Sequence, residues 1–229
     1  ILGKSRSGKP DLGRYEFWVN SPPEIISGST VSLSENQTDV IKVLALDNEG
    51  ESLTFSILDG LDGSLFSIDE FTGSLSFVSP PDFEQALDLD ENGEYQLTIE
   101  VSDGTSISEQ LLRVSPYDVD EAPTIDQIND TLKISFPEDS RVTYDFNGTD
   151  PDSGSELIWS IGSIPQNGSA EIDADTGAFA YEPVANFHGT DQVIIQLSDR
   201  THVVSLSVEL EVTPVSDSPI LTIDESYSV

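Results

Sequence analysis

The 229-residue chain has no cysteine and no methionine, and only nine of its residues are lysine or arginine. Without cysteine, disulfide bonds cannot staple the fold, and thiolate metal sites and cysteine nucleophiles are excluded. No apolar run approaches the ~20 residues that a membrane-spanning helix needs, so we expect no membrane span in this sequence. The only two histidines, His188 and His202, lie in loop and turn contexts, and we do not expect them to be catalytic.

Negative charge is in large excess, because 43 aspartates and glutamates face the nine basic residues and give a formal net charge of −34. Nucleic-acid phosphates are bound by basic faces, so this balance excludes a nucleic-acid partner. A metal cation is the natural partner of such a field. Solubility alone is the other explanation of an acidic surface, but the acids recur at specific, repeated positions.

Apolar side chains alternate with polar ones in segments such as 53–57, 95–101 and 204–212, as they do in half-buried strands. Glycine, asparagine, aspartate and proline punctuate these segments at intervals of about ten residues, which is typical of sandwiches. Trp159 falls on such an alternation, so we expect it in a core. Domains of ~100–150 residues divide the chain into about two. We therefore predict an all-β chain of two tandem Greek-key β-sandwiches.

An internal repeat of about 100 residues is the strongest feature of the sequence. Its paired landmarks are Glu35 with Glu138, Asp47 with Asp150, Asp69 with Asp173, Thr72-Gly73 with Thr176-Gly177, Asp103 with Asp199, and Pro123 with Pro219. Repeats of this length indicate tandem domains. The predicted divisions are a basic N-terminal segment or tail of a preceding repeat at 1–23, a first sandwich at 24–118, a linker at 119–123, a second sandwich at 124–216, and the start of a next repeat at 217–229.

The linker region carries three carboxylates ahead of Pro123. Crowded carboxylates repel one another unless a cation neutralises them, and proline stiffens the connection. Calcium takes about six to eight oxygen ligands, which one loop rarely supplies, so we predict a calcium site shared by the linker and both flanking domains. The predicted ligands are Glu35, Asp82 and Glu84 from the first domain, Asp118, Asp120 and Glu121 from the linker region, and Asp150, Asp152 and Asp199 from the second domain. An extended chain at 82–84 would project its two acids to one side.

Two other domain ends differ from this one. Asp47, Glu49 and Asp103 form an acidic set at the entrance to the first domain and are predicted metal ligands as well. The connector before them, 20–23, has no carboxylate, so we expect at most one weakly bound calcium ion there. At the exit of the second domain, Asn-Phe-His at 186–188 aligns with Asp-Phe-Glu at 82–84. Nitrogen suits softer metals better than calcium, so we expect weak calcium binding at this exit.

Several of these motifs resemble the cadherin family in its bacterial cadherin-like form, over residues 24 to about 216. Glu35 resembles the family's glutamate near the first strand, 47–49 its Asp-x-Asp motif, 82–84 its Asp-Arg-Glu motif, and 118–123 its linker. Residues 181–191 resemble the tandem repeats of large bacterial adhesins. The resemblance implies calcium between successive domains and a role in adhesion at the cell surface.

The sequence thus predicts a calcium-binding, calcium-rigidified segment of an extracellular adhesion protein rather than an enzyme. Its expected partners are calcium, other repeats of the same chain, and a glycan or protein on another cell. One alternative is a carbohydrate-binding accessory module, for which Tyr15 and Trp18 are the only candidate aromatic platform. The other is a hydrolase that uses Asp82 and Glu84 as paired carboxylates.

Overall fold

The structure, a computed structural model, describes residues 19–58, 60–126 and 131–216. The predicted start of a next repeat at 217–229, and the N-terminal segment through residue 18, lie outside the described residues. Backbone contacts divide the chain between Val119 and Asp120 into two compact units. Regular structure in the described part is strand apart from one 3-10 turn, Gly63–Leu65, and no helix there has the length and apolar character to cross a membrane.

The described residues of the first unit, 19–58 and 60–119, form nine short or medium strands. They are β1 (Glu24–Ile25), β2 (Thr30–Ser34), β3 (Asp39–Lys42), β4 (Ala45–Leu46), β5 (Thr54–Ile57), β6 (Phe66–Ile68), β7 (Ser74–Phe77), β8 (Tyr95–Ser102) and β9 (Ile107–Tyr117). A four-stranded sheet has the order β2-β9-β8-β5, a three-stranded sheet has the order β3-β7-β6, and β1 pairs with β4. Strand β2 runs parallel to β9, and the other pairs are antiparallel.

Strand β8 contributes four buried side chains to the core of the first unit. Tyr95, Leu97, Ile99 and Val101 are each at most 2% exposed, and the residues between them are half-buried. This confirms the predicted period of two, in which alternate side chains face the core. Full burial of such a side chain stabilises the fold by about 1.5–3 kcal/mol. The other buried members of this core are Val43, Phe55, Phe66, Leu75, Phe77, Leu112 and Val114.

The second unit repeats this topology strand for strand. Its strands are β10 (Thr124–Ile125), β11 (Thr131–Pro137), β12 (Val142–Asp145), β13 (Gly148–Thr149), β14 (Ile158–Ser163), β15 (Gly168–Ile172), β16 (Ala178–Pro183), β17 (Gly189–Ser198) and β18 (Val203–Thr213). The sheets are ordered β11-β18-β17-β14 and β12-β16-β15, and β10 pairs with β13. Trp159 is 5% exposed and belongs to the core, as predicted. The all-β fold of two tandem sandwiches is confirmed.

The repeated Asp-x-x-Thr-Gly landmark has a steric explanation. Gly73 and Gly177 have φ angles of +70° and +72°, and an added Cβ would stand 2.6 Å from Val43 O and 2.5 Å from Phe146 O, respectively. In both copies the aspartate four residues earlier accepts hydrogen bonds from the backbone of the turn. This landmark is therefore turn chemistry that favours glycine.

Parallel pairing places one glutamate at the end of each unit. Strand β2 pairs with β9 up to Ser34 beside Tyr117, and the next residue, Glu35, donates its backbone N–H to Tyr117 O at 3.1 Å. Strand β11 pairs with β18 in the same way, and Glu138 N donates to Thr213 O at 2.9 Å. Each glutamate thus stands where the last strand of its own unit ends.

Candidate metal centre

Glu35 is the most deeply buried acid among the described residues, at 2% exposed. Its Oε2 accepts a hydrogen bond from Phe83 N at 2.8 Å, and its Oε1 accepts one from Val119 N at 2.9 Å. Burial of a carboxylate is costly unless it is hydrogen-bonded and its charge is balanced. The two backbone donors provide the hydrogen bonds and fasten two loops to strand β2, but they carry no positive charge.

Asp82 and Glu84 bring further carboxylates to Glu35, and one oxygen from each of the three lies within 4.8 Å of the others. The expectation of an extended chain at 82–84 is wrong, because the chain turns here and Asp82 Oδ1 accepts a hydrogen bond from Gln85 N at 2.8 Å. The turn brings the two acids together instead. Oxygens of Glu84 and Asp118 also lie within 4.8 Å of each other. Four predicted ligands therefore meet at one end of the first unit.

A second acidic group of the first unit lies between β4 and β5. Asp47, Glu49 and Glu51 each place a carboxylate oxygen within 4.8 Å of the others. Asp47 Oδ2 is inaccessible to solvent and accepts no hydrogen bond. Desolvation, followed by repulsion from Asp47, Asp103 and Glu49, raises the pKa of Glu51. The negative charge of this group is thus concentrated enough to disfavour ionisation of one of its own members.

Asp103, the third predicted ligand at this entrance, is hydrogen-bonded to the preceding connector. Asn20 Nδ2 donates to Asp103 Oδ2 at 2.8 Å and to Ser106 Oγ at 2.9 Å. Ser21 N donates to Glu49 Oε2 at 3.3 Å. The backbone N–H of Ser106 and the amide of Asn20 lower the pKa of Asp103. Neutral hydrogen-bond donors therefore satisfy some of these carboxylate oxygens without a cation.

The second unit has a counterpart of this arrangement. Glu121 N donates to Asp152 Oδ2 at 2.9 Å, as Ser21 N does to Glu49, and Asp152 N donates to Asp150 Oδ1 at 2.9 Å. Asp150 Oδ2 and Asp152 Oδ1 are inaccessible to solvent and accept no hydrogen bond. Such oxygens are rare in folded proteins, because desolvation without a partner is unfavourable. A cation in contact with both oxygens would remove this cost.

Asp199 has a side chain that is 1% exposed and points toward the linker. Its Oδ1 accepts hydrogen bonds from the backbone N–H groups of Thr201 and His202, both at 2.6 Å. Its Oδ2 lies 3.2 Å from His202 Nδ1, which in turn lies 3.3 Å from Asp120 Oδ2. Burial acts to raise the pKa of Asp199, but hydrogen bonds from His202 and Thr201 outweigh it and lower the pKa. Two predicted ligands thus meet around a histidine.

The exit of the second unit is poorer in acids. Glu138 is 6% exposed and accepts a hydrogen bond from Val215 N at 2.7 Å, in the manner of Glu35. His188 Nδ1 lies 3.7 Å from Glu138 Oε2, and Asn186 N donates to Asp139 Oδ1 at 3.0 Å. No cluster of three potential ligands in the described part of the chain includes Glu138. A buried carboxylate with a nitrogen neighbour offers calcium less than the carboxylate cluster around Glu35 does.

The donor chemistry of the acidic groups fits a hard divalent cation. Their donors are carboxylate oxygens, which calcium prefers, and three of these oxygens are solvent-inaccessible and accept no hydrogen bond: Asp47 Oδ2, Asp150 Oδ2 and Asp152 Oδ1. None of the lysine or arginine ion pairs among the described residues involves a predicted ligand.

Sequence reasoning missed Glu51 and His202 as members of these groups. Glu51 continues the alternation of Asp47 and Glu49, and this pattern could have identified it from the sequence. The pattern for His202 is weaker, because it only follows Asp199 by three residues, as Ser106 follows Asp103. The turn that hydrogen-bonds the aspartate carries this third residue back to it.

The sequence profile of the family described as bacterial Ig domain matches residues 20–115 and again residues 120–213. The chain belongs to the bacterial Ig domain family. One copy of this domain falls on each half of the internal repeat, and the landmark pairs from Glu35 with Glu138 to Asp103 with Asp199 have one member in each copy.

This pair of bacterial Ig domains spans a tenth or less of the length of the curated relatives that it matches. Human protocadherin Fat 1 is 28% identical over 207 residues, which cover 84% of this chain and 4% of the relative. Human protocadherin-16 is 32% identical over 171 residues, 69% of this chain and 5% of the relative. Halomucin of Haloquadratum walsbyi is 29% identical over 203 residues, 79% of this chain and 2% of the relative. The units are cadherin-like repeats of a large surface protein, and the predicted extracellular location is confirmed.

Solved structures with the same fold include cadherin repeats. Human protocadherin-24 EC1-2 gives a TM-score of 0.54 at 19% identity, over 86% of this chain and 100% of that one. Drosophila N-cadherin EC1-4 gives 0.52 at 14% identity, over 85% of this chain and 50% of that one. At these identities the likeness concerns the fold alone, and it agrees with two tandem sandwiches of cadherin type.

Proposed function

We propose that this pair of domains is a calcium-binding, calcium-stiffened segment of an extracellular adhesion protein. The observation that carries the proposal is the pair of solvent-inaccessible carboxylate oxygens, Asp150 Oδ2 and Asp152 Oδ1, which accept no hydrogen bond. They lie next to the linker, because Glu121 N donates to the other oxygen of Asp152. A divalent cation is the ligand that this arrangement needs.

The proposed calcium ligands at the linker come from three parts of the chain: the acidic group around Glu35, the linker region itself, and the aspartates of the second unit. They are Glu35, Asp82, Glu84, Asp118, Asp120, Glu121, Asp150, Asp152 and Asp199. Asp47, Glu49 and Asp103 are the proposed ligands at the entrance of the first unit, where Asn20 and Ser21 already satisfy part of the set. The linker is therefore the stronger of the two proposed sites.

The proposed mechanism is electrostatic. Two ionised carboxylates 4.8 Å apart, the limit within which the clustered oxygens lie, repel each other by about 1–3 kcal/mol between water and an effective dielectric constant of ~20. Several such pairs around a short linker disfavour a close approach of the segments that carry them. Calcium reverses the sign of each interaction and restricts the linker to conformations in which the ligands converge.

The adhesive role rests on the relatives rather than on a site. The protocadherins and halomucin are far longer than this chain. In the proposal, the pair of domains extends and stiffens an array of similar repeats. The partners are then neighbouring repeats of the same protein, with a glycan or protein on another cell bound by the whole molecule.

Calcium titration by calorimetry at constant ionic strength tests the proposal on the 229-residue chain. We expect binding with Kd of about 10⁻⁴–10⁻³ M, as in other extracellular modules. An Asp150→Asn, Asp152→Asn double variant should lose most of this heat. A control that removes two aspartates from the 173–176 turn, Asp173→Asn with Asp175→Asn, should keep it. Absence of calcium binding, or equal binding by both variants, would refute the proposal.

The two alternatives find less support. The relatives do not favour a carbohydrate-binding module, and Tyr15 and Trp18 lie outside the described residues. A hydrolase using Asp82 and Glu84 gives the third carboxylate, Glu35, no part in the chemistry, whereas in the calcium proposal all three are ligands. Glycan hydrolysis measured with calcium chelated and then restored separates the cases. Turnover that an Asp82→Asn change abolishes would favour the hydrolase.

A further inference from the structure

Asp120 and Asp199 approach a nitrogen donor that a calcium site does not use. We propose that Asp120, Asp199 and His202 form a binding site for a borderline divalent transition-metal ion, with zinc as its representative. The site lies within the second unit. The inference rests on the proposed function only in that the same two aspartates are assigned to calcium there.

The spacing of the donor atoms suits a small ion. His202 Nδ1 lies 3.2 Å from Asp199 Oδ2 and 3.3 Å from Asp120 Oδ2. Zinc bonds of ~2.0–2.1 Å in tetrahedral geometry separate neighbouring donor atoms by about 3.3 Å. One donor atom from each of the three residues lies within 4.8 Å of those of the other two, so a small movement of a carboxylate would complete this spacing. Asp120 has a side chain that is 46% exposed, and it has room to make that movement.

Asp199 is already oriented for this role. Its side chain is buried, and both backbone hydrogen bonds go to Oδ1, which leaves Oδ2 directed at the ring of His202. Such hydrogen bonds fix a ligand and tune its basicity, as second-sphere partners do in known metal sites. The side chain of His202 is 39% exposed, so an ion can reach the nitrogen from solvent.

The first copy shows that the histidine is not needed to form the turn. Asp103 Oδ1 accepts backbone hydrogen bonds from Thr105 and Ser106 at 2.7 and 2.6 Å, as Asp199 does from Thr201 and His202. Ser106 stands at the position of His202 in that turn. The second copy has therefore added a metal-ligating side chain to a turn that forms without it.

Charge also favours a cation at this point. Two carboxylates flank one imidazole here, and their negative charges lie close together. The nearest arginine in sequence, Arg200, forms its ion pair with Glu156 instead. Imidazole nitrogen with carboxylate oxygen suits zinc and its neighbours in the first transition series, whereas calcium takes oxygen. Zinc at this site would compete with calcium for Asp120 and Asp199.

Zinc titration by calorimetry at fixed neutral pH, with zinc chloride as the probe, tests the site. His202→Gln removes the nitrogen ligand, and His188→Gln is the matched control on the only other histidine in the sequence. We expect zinc Kd to rise at least about tenfold in His202→Gln, the lower end of what even second-sphere changes cost. His188→Gln should bind as the wild type does. Zinc should also shift the ring-nitrogen NMR signals of His202 and leave those of His188 in place.

Equal zinc binding by all three proteins would overturn the proposal, since His202 would then only hydrogen-bond two aspartates. His202→Ser, which copies the first domain, is a second variant should glutamine disturb the turn, and it should lose zinc affinity equally. Calcium titrations of the same proteins separate the two proposals. Calcium binding that survives in His202→Gln agrees with both. Histidine-dependent zinc binding without any calcium binding would reject the proposed function and leave the zinc site standing.

Discussion

Asn20 and Asp103 are joined by a 2.8 Å hydrogen bond from the amide Nδ2 to the carboxylate Oδ2. The equivalent residues of the second copy are Asp120 and Asp199, whose ionised carboxylates are acceptors only and cannot bond to each other. His202 stands between them. In the first copy a neutral hydrogen-bond donor therefore joins the connector to its domain. In the second copy the equivalent contact needs a positive group between the two carboxylates.

Asn20→Asp should create a stronger calcium site at the entrance of the first unit. The wild-type connector offers no carboxylate, and we expect at most one weakly bound ion there. The aspartate would exchange the amide donor for a second carboxylate beside Asp103, and calcium is the group that can bridge them. Calorimetry should show one additional calcium ion, and the melting temperature with chelator should fall. Asn48→Asp adds the same charge at an exposed neighbouring position and should give no additional site. Unchanged calcium binding by Asn20→Asp would contradict the prediction.

Asp120→Ala should loosen the linker without unfolding either domain. Asp120 is exposed and lies outside both cores, so we expect a stability change within about 0.5 kcal/mol, as at most surface positions. Small-angle scattering should show the variant with calcium to be as bent as the wild type with chelator. Asp175→Ala, in an exposed turn, is the control. A variant as rigid as the wild type would remove Asp120 from the calcium site.

The fold was readable from sequence because its signals are local. Burial of Tyr95, Leu97, Ile99 and Val101 follows from alternation along one strand. The buried glutamates were readable only as landmarks, because the parallel pairing that carries Glu35 to Tyr117 joins residues far apart in the chain. No local pattern specifies such a pairing.

The sequence predicted most of the residues of the acidic groups, but not the backbone geometry that brings them together. Asp82 and Glu84 were identified as a pair, yet a turn and not an extended chain unites them. His202 lies in a turn and gives no sign of a functional role in the sequence, because its partner Asp120 is remote and only the turn after Asp199 brings the two together. Contacts between single side chains that are far apart in the chain produce no periodic pattern in the sequence.

Acid should destabilise the second unit through Asp191. Asp191 is buried, and Oδ2 accepts hydrogen bonds from Tyr181 Oη at 2.9 Å and Asn167 N at 2.7 Å. Burial acts to raise the pKa of Asp191, but these bonds and others from the backbone outweigh it and lower the pKa below its ordinary value of 3.8. The stabilisation is therefore complete above about pH 3.8 and is lost as the pH falls through the lowered pKa.

Asp191→Asn tests this effect. We expect a loss of about 2–3 kcal/mol from the second unit at neutral pH, because hydrogen bonds to a charged acceptor are weakened or lost. In urea unfolding, the gap between variant and wild type should shrink as the pH falls below about 4. Asp175→Asn, at an exposed position, should show neither effect. A gap that stays constant with pH would mean that the charge of Asp191 is not the source.

Asn186→Asp with His188→Glu should turn the exit of the second unit into a calcium site. The wild-type exit has Glu138 with a histidine nitrogen at 3.7 Å, where the first unit has the carboxylates of Asp82 and Glu84 beside Glu35. The double change restores the Asp-Phe-Glu order of 82–84 and supplies two oxygen ligands to a buried carboxylate that already has its backbone donor in place. Calorimetry should show one additional calcium ion with Kd of about 10⁻³ M or lower. The melting temperature should rise with calcium by more than it does in the wild type.

Asn186→Gln with His188→Gln is the matched control, since it changes both positions without adding a carboxylate. Calcium binding of equal strength at this exit in the wild type and the double variant would show that backbone carbonyls and water already complete the site.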